Sequence, residues 1–181
     1  MKNLIKKFIS LLVILFGAAM IYAADTDSFE ITCTPILTYS VTISTPATGL
    51  SFNVEPGQSY VYSSTVTVKN TGNVSADWTI SGISLNTWTL GATPGPDTVR
   101  LLGVFKTSLA NSGDFDVSLD TITATESNMK NPNYYVDEDG NDVPKNGTRL
   151  LSIRLDAPTD TSVDTEQKFR IEIKAYPSSK F

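Results

Sequence analysis

Histidine is absent from all 181 residues. That removes the usual general base, the commonest zinc ligand and every Ser-His or Cys-His nucleophile pair. Cysteine is almost absent as well. Cys33 stands alone, so no disulfide can form within the chain and the core must carry stability. A lone thiol of this kind reads as a small buried apolar residue, the other reading being a bond to a second chain. It lies well past the N-terminal apolar run and is not a lipid-attachment cysteine. No phosphate loop or dinucleotide fingerprint occurs, since Gly72, Gly82 and Gly91 each stand singly. Internal repeats, interdomain linkers and, beyond the N-terminus, amphipathic helices are also missing.

Acidic residues are missing before Asp25, and that stretch has a character of its own. Lys2, Lys6 and Lys7 precede an apolar run from Phe8 to Tyr22 that ends in Ala23-Ala24, which reads as a secretory signal peptide over residues 1–24. The alternative is a retained membrane anchor, but the run is shorter than the roughly 20 residues a spanning helix needs. Removing three lysines from fourteen basic residues leaves eleven against nineteen acidic ones, a net charge of −8. Such a charge repels nucleic-acid backbones and anionic lipid, so neither is expected as a partner. Residues 25–181 have the size of one domain with its own core. An extracytoplasmic location follows from the leader: periplasm, cell surface or extracellular.

What fills that domain is strand pattern. Tyr60, Tyr62, Val66 and Val68 alternate with Ser63, Thr65, Thr67 and Lys69, the period-two signature of a half-buried strand. Asn70-Thr71-Gly72-Asn73 follows as a turn, and Trp78 and Ile80 resume the alternation, so the pattern predicts a hairpin. Ser28–Cys33 and Leu37–Ile43 read as extended runs split by Pro35. A short strand is predicted over Leu50–Val54, closed by the turn Glu55-Pro56-Gly57. Val99–Phe105 is apolar on both faces, as a central strand would be. Ala92–Asp97 reads as a loop and Asn111–Asp114 as a turn. Asp116–Asp120 suggests a short strand, while Thr121–Met129 suits one or two helical turns or a loop. A second hairpin is predicted around Asp137–Asp142, between Tyr134–Val136 and Val143, with a further turn at Lys145–Thr148. Leu151, Ile153 and Leu155, then Phe169, Ile171, Ile173 and Ala175, alternate cleanly with polar residues. The sum is an all-β chain, an antiparallel β-sandwich of about eight or nine strands.

Few residues suggest chemistry. Asp137, Asp139, Asn141 and Asp142 place oxygen donors on a turn and form a weak calcium candidate, the other reading being a solvated hairpin tip. Gly140 comes too early for an EF-hand loop, and Thr148 stands where that loop needs Glu. Trp88 and Tyr134, with Tyr135 beside it, could stack on a sugar ring, Trp88 standing next to a Gly/Pro loop. Trp78 alternates with Ile80 and reads as core. Asn73-Val74-Ser75 and Asn146-Gly147-Thr148 match the glycosylation sequon. A histidine-free glycoside hydrolase would need a carboxylate pair, but the acids are scattered and the chain is short for a walled cleft.

Pro56-Gly57-Gln58 and then Val66-Thr67-Val68-Lys69-Asn70-Thr71-Gly72-Asn73 resemble the pattern of exported immunoglobulin-like modules, a strand ending V-x-V-x-N-x-G. That group includes CARDB-type adhesion modules and, more loosely, TasA/camelysin-like secreted fibre subunits. The resemblance covers about a third of the chain. It implies an immunoglobulin-like or jelly-roll-type sandwich that binds or assembles, and it transfers no catalytic residue. The chain is therefore expected to be non-enzymatic, with no cofactor unless calcium, and to work through a protein partner or self-association. Strand addition by Phe29–Ile43 to a neighbour's sheet edge is the concrete form. A carbohydrate- or calcium-binding module is the alternative.

Overall fold

A computed structural model describes residues 30–44, 50–62, 64–128 and 140–178. The leader lies outside these residues. The chain divides after Pro35. In the first unit, Glu30–Pro35 forms no regular structure and is exposed. Cys33 is exposed there, which corrects the expectation of burial.

The second unit, Ile36–Phe181, is all-β. Its described strands are β1 (Val41–Ser44), β2 (Ser59–Val61), β3 (Val66–Asn70), β4 (Ala76–Ser84) and β5 (Thr89–Leu90). β6 (Thr98–Lys106), β7 (Thr121–Ile122), β8 (Ser127–Asn128), β9 (Thr148–Asp156) and β10 (Phe169–Pro177) follow. One sheet runs β1-β3-β9-β6-β5, with β2 also on β9 and β7 on β6; the other runs β10-β4-β8. Every pairing is antiparallel except that of β5 with β6.

The two sheets meet through the faces their alternation dictates. Val66, Val68, Val99, Leu101, Phe105, Leu151, Ile153 and Leu155 come from the larger sheet, and Ala76, Trp78, Ile80 and Ile173 from the smaller. Trp78 is wholly buried and meets Phe105 edge to face, ring centroids 5.3 Å apart. Each such side chain contributes about 1.5–3 kcal/mol by leaving water. β6 is covered on its other face too, because Leu102 and Val104 pack against Ala110 and Phe115. That explains why it is apolar at nearly every position apart from Arg100 and Gly103.

The predicted hairpin between β3 and β4 does not form. β3 pairs with β1 and β9, whereas β4 pairs with β10 and β8, so residues 71–75 carry the chain from one sheet to the other. Turn chemistry dictates a change of direction; it does not dictate which sheet the next strand joins. The strand predicted from Ser59 to Lys69 is also broken. Tyr60 faces Leu155 but Val66 faces Leu151, so two extra residues bulge between β2 and β3. An even-numbered slip keeps Tyr60 and Val66 on the same face, so the alternation survives the break.

Leu50–Val54 is not a strand, although Leu50, Phe52 and Val54 pack on the core. No strand forms over residues 30–40, and the one predicted from Leu37 begins only at Val41. Asp116–Asp120 is a turn in which the Asp120 carboxylate accepts the Asp116 amide at 2.7 Å. Thr121–Asn128 contains β7 and β8 rather than helical turns and, like residues 71–75, passes between sheets. The second predicted hairpin lies mostly outside the described residues; within them, Val143 bridges Ala76.

Candidate functional site

The turn after β3 gathers three parts of the chain. Asn70 is fully buried, and its side-chain amide donates to the carbonyls of Val74 at 2.9 Å, Val143 at 2.8 Å and Pro144 at 3.3 Å. Its side-chain oxygen accepts the Gly72 amide at 2.9 Å. A Cβ on Gly72 would stand 2.3 Å from the Thr38 carbonyl, so only glycine lets the residues before β1 lie this close. Asn73 then clasps them: its amide donates to the Ile36 carbonyl and its oxygen accepts the Thr38 amide, both at 2.8 Å. The Asn73 sequon is thus engaged in holding backbone. Asn146, of the other sequon, is exposed with φ of +63°.

β1 ends the larger sheet, and among the described residues no strand pairs with its outer side. Ahead of it Ile31, Ile36 and Leu37 are 75%, 83% and 53% exposed. β10 ends the smaller sheet and carries Arg170, Glu172 and Lys174 along one face.

Trp88 lies elsewhere in this unit, at the wall of a cavity of about 220 Å³ formed with Val54, Pro56, Pro158, Val163 and the polar residues Thr161, Asp164 and Thr165. Its indole N–H donates to the Thr161 hydroxyl at 3.0 Å, and its backbone N–H to Gln167 Oε1 at 3.0 Å. The loop behind it is pinned by Asp97, which accepts the Ser162 hydroxyl at 2.5 Å, the Ser162 amide at 2.8 Å and the Thr161 hydroxyl at 3.1 Å. Those Ser162 bonds hold the Asp97 carboxyl below its usual range, with Thr161 adding to them against a smaller opposing effect of burial. Sequence reasoning found Trp88 but missed Pro56, Pro158, Asp164 and Thr165. They lie on two distant segments, and nothing in their spacing marks them as neighbours of the ring.

The weak calcium candidate is only partly described. Asp137 and Asp139 lie outside the described residues, as does Tyr134, the second sugar-stacking candidate. Asp142 accepts the Asn141 side-chain amide at 3.2 Å and donates its backbone N–H to Asp77 at 2.8 Å. Among the described residues no three acidic or thiol side chains converge as a metal site would need.

Two charge clusters fasten the strands. Asp156 is buried on β9, and accepts Arg100 Nε and Nη2 at 2.7 and 2.5 Å and Arg154 Nε at 2.8 Å. Burial opposes its ionisation, but the Ser59 hydroxyl and the two guanidinium groups outweigh that and leave its pKa lowered. Glu126, ahead of β8, is held low chiefly by its bond to Lys174 and by the Tyr176 hydroxyl.

Comparison with models of known protein families finds no match, and comparison with curated proteins finds none. Among the described residues no helix is long and apolar enough to cross a membrane.

Proposed function

We propose that this chain is an exported, non-enzymatic structural or interaction protein that works at the cell surface or in the extracellular matrix and assembles by backbone pairing at sheet edges. The observation that carries the reading is the pair of exposed apolar side chains Ile36 and Leu37 just ahead of the edge strand β1, with Ile31 of the preceding unit exposed as well. Exposed apolar residues beside an unpaired row of N–H and C=O groups are what a neighbouring chain needs, since the backbone supplies affinity and alternate side chains supply register. Thr38–Ser44 is already paired along the turn after β3 and along β3 itself. The part of the proposed donor ahead of Thr38 is held at the Ile36 carbonyl, which accepts the Asn73 amide. The absence of histidine and the single cysteine support a role without catalysis.

Light scattering on residues 25–181 tests this. The parent protein is expected to associate, and the triple variant Ile31→Asp, Ile36→Asp, Leu37→Asp to remain monomeric with an unchanged melting temperature. Equal association of parent and variant removes the donor role from this stretch.

A further inference from the structure

We infer that the cavity beside Trp88 binds a neutral saccharide ring, independently of any assembly at the sheet edges. Four features of the cavity converge on that ligand. First, the Trp88 ring is held in place, because its indole N–H is committed to Thr161 and its backbone to Gln167. A fixed aromatic wall costs no rotamer freedom on binding. Second, Val54, Pro56, Pro158 and Val163 supply stiff apolar side chains to the lining. Pro158 is itself held, its carbonyl accepting the Gly57 amide at 2.8 Å.

Third, three polar side chains complete the lining: Thr161, Asp164 and Thr165. Asp164 is exposed and Thr165 lies beside it, the Thr165 hydroxyl accepting Gln167 Nε2 at 3.4 Å. A ligand suited to this cavity is apolar on one face and rich in hydroxyls at its edge. A pyranose has that form, its C–H face meeting the ring and its hydroxyls donating to carboxylate and threonine oxygens. Fourth, the volume of about 220 Å³ is below the roughly 300–1,000 Å³ of sites that enclose drug-sized ligands, so the cavity takes one ring of a longer chain.

Charge narrows the class further. The whole chain carries −5 and Asp164 stands in the cavity wall, so an acidic sugar or a phosphate would be repelled. An alkylammonium ligand would want several aromatic faces around its charge, and Trp88 is the single aromatic residue in the lining.

The chain contains two tryptophans, and Trp78 is wholly buried in the core, so a ligand-dependent change in emission reports Trp88. Residues 25–181 would be titrated with chitotriose, cellotriose, xylotriose and mannotriose, each repeated with choline as competitor. The expected result is a saturable change with at least one trisaccharide, unaffected by choline and weakened about tenfold in Asp164→Asn. That variant removes an exposed carboxylate that holds no strand, so its fold is preserved; far-UV circular dichroism confirms this. No saturable change with any of the four sugars, an undiminished affinity in Asp164→Asn, or displacement by choline would each overturn the assignment.

Discussion

Asn70 does more for this fold than any apolar residue of its size could. Three of its four polar contacts go to backbone carbonyls of two separate loops, and the fourth receives the amide that lets Gly72 approach Thr38. Replacing it with alanine removes all four bonds: the Val74 carbonyl and the Gly72 amide lose the partner Asn70 gave them, while the Val143 and Pro144 carbonyls keep only the Ala76 and Gly147 amides. Asn70→Ala is expected to lower unfolding stability by about 2–4 kcal/mol, read as a shift in urea midpoint at constant slope. Asn70→Asp is expected to do as badly, because a carboxylate keeps the acceptor and loses the donors. Asp156 makes the matching case for charge. Its pKa is lower folded than unfolded, so its contribution is complete above the unfolded value of about 3.9 and is lost as pH falls through the folded one. Acid unfolding below about pH 4 should therefore be shallower in Asp156→Asn. That variant should also lose about 2 kcal/mol near neutral pH, through weakened bonds to Arg100 and Arg154. Chemical denaturation at a series of pH values checks both.

At the scale of elements, long strands with a clean period were legible. β6, β9 and β10 fall where alternation or a nearly continuous apolar run placed them, because each buries a face determined by its own side chains. Gly103 on β6 shows how tight that burial is: an added Cβ would lie 3.0 Å from Ile122 Cδ1 and 3.2 Å from Leu151 Cδ1. Gly103→Ala is expected to destabilise by about 1–3 kcal/mol through overpacking, seen as a lower melting temperature. The sheet change between β3 and β4 was not legible, since Asn70–Asn73 reads as turn chemistry for a hairpin and for a crossing alike. β7 and β8 escaped for another reason: a two-residue strand has no period to read. The clasp on the residues before β1 gives its own test. Asn73→Ala removes two exposed hydrogen bonds, so the Thr38 amide should exchange with solvent about tenfold faster while core amides are unaffected.

For the whole molecule, the strand pattern made the all-β class legible. The V-x-V-x-N-x-G stretch has a structural explanation of its own: Val66 and Val68 enter the core, Asn70 ties two loops together, and Gly72 admits the Thr38 backbone. Of the candidate sites, Trp88 was visible as an aromatic beside a Gly/Pro loop. Its cavity was not, because the loop that completes it lies some seventy residues further along the chain. The claim that matters most is assembly, since it assigns the exposed stretch ahead of β1 a purpose. Negative-stain electron microscopy of residues 25–181 at rising concentration tests it most directly. Filaments or a regular oligomer are the predicted result; a uniform field of single particles at every concentration would contradict it.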